Sequence, residues 1–328
     1  MTTFAGAALA TLLTIGMPSM SEAATFVYVS DAVDATIDAY VMDAKTGSLT
    51  SIGKAEAGKA VMPMAVAPDK RFLYAVVRSQ PMRVLTYAID GKSGALTQKA
   101  TAPLPDSMAY VSTDRGGRFL FTASYGSDKV AVSPIDEDGL VTAEPIQVLP
   151  TGRNAHSILA DRTNRFVYSA ILGANEVMQF AFDANSGKLA PLDPPVMKWG
   201  QPQAPAGAAP AGPATAPTAE EKPAIWAADL RLTPNGKFLY TTERNTDKIA
   251  LFTVAPGTGT LTYVANFATE RQPRGINIDP SGHYLVAAGE KSDRLSVYRI
   301  DQASGKLGEP SRYPVGKGAN WIEIVEAP

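Results

Sequence analysis

A triplet of the form Phe–aliphatic–aromatic, or a close variant of it, recurs down this chain at an almost fixed interval. Its copies begin at Phe26, Phe72, Phe119, Phe166, Phe238 and Tyr284. Neighbouring copies lie about 46 residues apart, the length of a four-stranded propeller blade. The interval from Phe166 to Phe238 is longer by about 25 residues, too few for another repeat. It contains Gln201–Lys222, which is dominated by Ala, Pro, Gly and Thr. That interval therefore reads as one repeat carrying an insertion at 200–224, a solvated segment that cannot bury a core.

Two turn markers keep step with the aromatic. Gly47, Gly94, Gly139, Gly187, Gly259 and Gly305 each follow it by about 21 residues and sit in polar hairpin tips. Ala67-Pro68-Asp69, Thr233-Pro234-Asn235-Gly236 and Asp279-Pro280-Ser281-Gly282 precede it with β-turn chemistry. Between the markers the chain alternates apolar and polar residues, as in Arg83–Ile89. One unit is predicted as strand A over Met64–Ala67, B over Phe72–Arg78, C over Val84–Ile89 and D over Leu96–Ala102. The fold class is thus all-β, a propeller with six repeats. The closing blade should combine Phe26–Ala55 with a C-terminal strand, Trp321–Val325, which leaves no open sheet edge.

The net charge is −2, so nothing favours nucleic acid or an anionic surface as partner. Cysteine is absent, which excludes disulfides, thiol catalysis and Cys metal sites. The two histidines, His156 and His283, are too few for a His-rich metal centre, and no cofactor is expected. Ala5–Met17 is an apolar run of signal-peptide length, followed by small residues at Ser21-Glu22-Ala23. Residues 1–24 are read as a leader and 25–328 as a single propeller domain. The protein should be periplasmic or secreted, off the membrane once cleaved and monomeric. It should be cytoplasmic if that segment is not a leader.

The repeat register also places a site. Strand A starts about ten residues before each aromatic. That position holds His156 and Arg274 in two repeats, and Met62, Ala109 and Ala228 in others. Strand B ends at the same rim with Arg78, Tyr125, Leu172, Arg244 and Glu290, with Glu243 and Lys291 adjacent. Convergent polar groups in a concave mouth form a candidate binding site. Several guanidinium groups suit an anionic ligand, a carboxylate or phosphate. A guanidinium can also hold the oxyanion formed when water attacks a lactone, while a neutral imidazole takes that water's proton. His156 and Arg274 are the candidate catalytic pair; Arg78, Tyr125, Glu243, Arg244 and Glu290 are candidate ligand contacts. The partner is then a small anionic lactone or sugar acid. The alternative is an exported propeller that binds a ligand or protein without turnover. His283 is expected in a solvated turn, Trp226 and Trp321 between blades, and Tyr74, Tyr168 and Tyr240 in the core.

Four stretches carry a resemblance to a known family: Pro63–Tyr74, Trp226–Leu230, Gln272-Pro273-Arg274-Gly275 and Ala287–Ser292. From about Thr25 onward the chain resembles the seven-bladed propeller lactonases. These include bacterial propeller-type 6-phosphogluconolactonases and a fungal enzyme acting on a muconolactone-type ring. The resemblance implies lactone hydrolysis without a metal, and an active site using a His, arginines and a Glu. By motif, the His corresponds to His156 and one Arg to Arg274. The family's blade between those starting near His156 and near Trp226 has no counterpart here. Its second active-site Arg and its Glu therefore have no matching positions, and Arg244 or Glu243 are the available substitutes.

Overall fold

The computed structural model describes residues 23–198 and 226–327. The insertion at 200–224 and almost all of the expected leader lie outside the described residues. Twenty-four strands form six four-stranded antiparallel sheets arranged as blades in a ring. Blade I takes its innermost strand, A, from Ala319–Glu326 and its B, C and D strands from Thr25–Asp31, Thr36–Met42 and Leu49–Glu56. The ring is sealed where Phe26 pairs with Val325 and Tyr28 with Glu323, as the repeat register requires. Blade II consists of Val61–Val66, Phe72–Val77, Arg83–Ile89 and Leu96–Pro103. Blades III, IV, V and VI begin their A strands at Met108, Ala155, Ala227 and Pro273.

Five of the six blades are pinned to a neighbour by the hairpin between their C and D strands. In blade I, Asp43 Oδ1 accepts the backbone N–H groups of Lys45 and Thr46, and Gly47 takes φ +71°. Asp90, Asp183 and Asp301 make related turns in blades II, IV and VI. The bare face of the turn glycine then receives the aromatic of the preceding blade. A Cβ on Gly94 would lie 2.4 Å from the Phe26 ring, and one on Gly139 would lie 2.3 Å from Phe72. Gly187 meets Phe119, Gly305 meets Phe238 and Gly47 meets Tyr284 in the same way. Four of these joints add a tyrosine O–H donated to a carbonyl of the neighbouring hairpin. Tyr28 reaches Gly94 O at 2.8 Å, Tyr74 reaches Gly139 O at 2.9 Å and Tyr240 reaches Gly305 O at 2.6 Å. Tyr284 reaches Lys45 O.

The core is divided among these joints. Five buried apolar clusters lie at junctions I–II, II–III, III–IV, VI–I and V–VI. Junction IV–V differs. Among the described residues no buried apolar cluster joins these blades. A Cβ on Gly259 would meet nothing within 4 Å, although it occupies the pinning position of blade V. Tyr168, expected in the core beside Tyr74 and Tyr240, is 40% exposed, because no described neighbour covers its face of blade IV. Trp226, expected between blades, is 47% exposed on the other side of the same junction. Trp321 does pack as expected, edge-on to Tyr110 with ring centroids 5.6 Å apart. His283 is exposed in its turn, beside Ser281 Oγ.

Candidate functional site

Strands A and B are antiparallel in every blade, so each A start and B end share one rim of the channel. The start of strand A also bulges. The register with strand B shifts between Ala155 and Ser157, and again between Pro273 and Gly275. His156 and Arg274 are therefore the unpaired bulge residues of blades IV and VI, and a bulge turns a side chain out of the ladder. The same shift brackets Met62, Ala109 and Ala228 in the other repeats. Gly275 permits this path in blade VI, since a Cβ there would stand 2.5 Å from the Asn320 carbonyl oxygen.

Glu290 organises the arginines. One of its oxygens accepts a short hydrogen bond from Arg244 Nη2, and the other lies 3.7 Å from Arg274 Nη1. Arg244 is buried against the face of Trp226, 3.6 Å from the ring centroid, and its Nε meets no acceptor among the described residues. Arg78 donates from Nε to Ser107 Oγ at 2.9 Å. His156 lies edge-on to Tyr125, with ring centroids 5.8 Å apart. Burial, followed by the charges of Arg274, Arg244 and Arg78, holds the His156 imidazolium below its usual pKa. Burial likewise pushes the Arg274 guanidinium down to about 10, while Glu290 opposes the shift and Arg244 and Arg78 reinforce it. The Arg78 pKa is lowered by burial too.

The structure thus brings together His156, Arg274, Arg78, Tyr125, Arg244 and Glu290, from blades II to VI. Glu243 stands apart. Its Oε1 accepts from the backbone N–H of Trp226 and Asn245, and its Oε2 from Thr246. These bonds outweigh desolvation and hold its carboxyl down at about 2, so it serves as a fixed turn cap. Leu172 and Lys291 are exposed on the rim. Three contributors were not legible from charge and register alone. Trp226 stacks on Arg244, Ser107 holds Arg78, and Asp229 lies within electrostatic reach of Arg274. Trp226 was accessible in principle, standing two residues before the register position of its repeat. Among the described residues, no cluster of three or more His, Asp or Glu could hold a metal.

Residues 26–210 and 206–324 match the family described as "Lactonase, 7-bladed beta-propeller". The chain belongs to the lactonase propeller family. Two lactonase relatives named 6-phosphogluconolactonase resemble it over most of its length. That of Xenorhabdus nematophila is 37% identical, covering 85% of this chain and 92% of its own. That of Pectobacterium carotovorum is 36% identical, covering 91% and 98%. Among solved structures, the periplasmic gluconolactonase of Pseudomonas aeruginosa shares the fold with a TM-score of 0.79 at 23% identity, over 94% of this chain and all of that one. The lactonase family is seven-bladed, whereas the described residues here form six sheets. The two matched stretches meet at 206–210, in the sequence between blades IV and V.

Proposed function

We propose that this propeller hydrolyses an anionic sugar lactone of the 6-phosphogluconolactone type at the channel mouth. The observation that carries this reading is the trio Arg244–Glu290–Arg274 set beside His156, whose imidazolium is disfavoured by burial and by the charges of Arg274, Arg244 and Arg78. The names of the curated relatives support the same chemistry. Two guanidinium groups share one carboxylate and Arg78 lies within its electrostatic reach, so the mouth retains positive charge for a phosphate or carboxylate. His156 accepts a proton from water as the water oxygen bonds to the lactone carbonyl carbon. The carbonyl electrons move onto oxygen, and Arg274 donates hydrogen bonds to that oxyanion. Collapse breaks the acyl–oxygen bond of the ring. The leaving alkoxide takes the proton from His156, and the new carboxyl group gives its remaining proton to solvent, so the product is an aldonate. No step calls for a metal. The apolar run at Ala5–Met17 supports action outside the cytoplasm, on a mature chain of 25–328.

Turnover of phosphorylated and plain sugar lactones, corrected for spontaneous opening, tests this directly. Arg274→Ala is expected to lower kcat about a hundredfold or more, the scale for losing an oxyanion donor. In the wild type, activity should fall with acid as His156 gains its proton, with the inflection below its ordinary pKa of about 6.5. His156→Ala should lose that acid limb. Binding without turnover is favoured by one observation: blade V offers only Ala228 at its strand-A start, and Glu243 is locked in its turn. Retention of an aldonate by a protein that opens no lactone would establish that alternative.

A further inference from the structure

We infer that Arg78 selects phosphorylated over plain substrates, by taking the phosphate with its terminal fork. The inference deepens the lactone reading of the rim and rests on it. Three guanidinium groups lie within electrostatic reach of His156, and they are not equivalent. Arg244 and Arg274 are both drawn to Glu290, and Arg244 is also stacked on Trp226. Arg78 donates its one side-chain hydrogen bond among the described residues from Nε, to Ser107 Oγ at 2.9 Å. Its Nη1 and Nη2 meet no acceptor among those residues; Glu290 and Asp106 reach it through their charge alone. Asp106 is itself engaged, accepting the Ser107 N–H and lying 3.4 Å from Lys129. Arg78 thus presents two terminal nitrogens together, the arrangement that matches two oxygens of a phosphate.

Ser107 gives that fork its direction. The Arg78 backbone is tied to blade II, where its N–H donates to Ala60 O at 3.1 Å. Ser107 stands at the entry to strand A of blade III, so the side chain is held at both ends. Placement divides the labour. Arg274 stands on blade VI and Arg78 on blade II, with blade I between them. Blade I brings no cation to its bulge: the unpaired residue there is Asn320, buried and donating to Ser30 O and Gly318 O. In a phosphorylated aldonolactone the carbonyl and the phosphate stand at opposite ends. With the carbonyl on Arg274, the phosphate turns to a cation farther round the rim. Arg78 is within electrostatic reach of Arg274 and is not bound to Glu290. Lys291 is the rival, but its ammonium is exposed and binds as a hydrated point charge.

The ratio of kcat/KM for 6-phosphogluconolactone to that for glucono-δ-lactone, each corrected for spontaneous opening, reads the selectivity. Arg78→Met should lower this ratio about 30-fold or more, chiefly through KM of the phosphorylated lactone, because a charge-assisted bond to a non-reacting group is lost. Arg78→Lys should recover only part of it, since an ammonium lacks the fork. Ser107→Ala keeps the charge but frees its direction, and should raise the same KM about threefold to tenfold. Lys291→Met should change the ratio less than Arg78→Met does. Calorimetric titration with 6-phosphogluconate and with gluconate reads the same preference without turnover. A wild type that opens no lactone, yet binds 6-phosphogluconate and loses it in Arg78→Met, would sustain the inference and sink the proposed hydrolysis. Proportionate losses on both lactones in Arg78→Met would overturn the inference. So would an unchanged ratio, or a wild type that treats phosphorylated and plain compounds alike. A larger effect from Lys291→Met would overturn it too, and would move the phosphate to that residue.

Discussion

Junctions V–VI and IV–V are written in the same repeat, yet among the described residues only V–VI is packed. At V–VI, Phe238 covers Gly305, Tyr240 donates to its carbonyl, and an apolar cluster runs between the sheets. At IV–V, Phe166, Tyr168 and Gly259 occupy the same register positions without that contact among the described residues. A blade is thus specified locally by hairpins and strand alternation. An interface is specified by which blade comes next. In repeat architectures stability divides into the intrinsic term of each repeat and the term of each interface. Six sheets are described in a family described as seven-bladed, and the facing walls of blades IV and V are the pair left unpacked among the described residues.

That contrast can be broken by substitution. Phe72→Ala empties a packed joint and should destabilise by about 3–5 kcal/mol, whereas Phe166→Ala should cost about 1 kcal/mol or less. Equal losses in urea titrations would mean that junction IV–V is packed as tightly as II–III. Gly139→Ala drives a Cβ into the Phe72 ring and adds the strain of positive φ. It should cost about 2–4 kcal/mol, against about 1 kcal/mol for Gly259→Ala, where only the backbone term applies. Thermal melts of the two variants give that difference directly.

The sealing junction carries a smaller, pH-dependent weakness that sharpens the comparison among packed joints. Asp31 and Asp38 are both buried at the end of blade I, with Lys54 3.0 Å from Asp38. Burial, then the Asp38 charge, raises the Asp31 carboxyl to about 9. Between the ordinary carboxylate range and that value the folded state holds a proton that the unfolded chain has released. Stability contributed here is therefore present at low pH and declines as pH rises through that window. Asp31→Asn should flatten the decline in melting temperature between neutral and alkaline pH. An unchanged slope would place the proton elsewhere.

The six-blade plan, the turn glycines and the strand that seals the ring were all legible in the sequence, because each follows from local spacing. The geometry of the rim was legible only in part. Register alone brought His156 and Arg274 to one end of the channel, since every strand A bulges at that position. Tyr168 and Trp226 were misplaced for one shared reason. Their burial depends on the neighbouring blade, and residue spacing within a repeat says nothing about which neighbour follows. Glu243 was misjudged differently. Its carboxylate satisfies backbone donors two and three residues on, a local competition that charge pattern does not show.

The pairing of Thr25 with Glu326 also has a mechanical meaning. The outer ends of these two antiparallel strands lie side by side, so a load applied through them pulls across the ladder rather than along it. Hydrogen bonds would then break pair by pair, like an opening zip, starting at Thr25 and running toward Asp31. Each broken pair would free the next without sliding two strands past one another. The ring that this blade seals against solvent is thus weak to traction at its own seam. Release of strand A of blade I would strip the channel of its Trp321 wall while the hairpins of blades II to VI kept their hydrogen bonds.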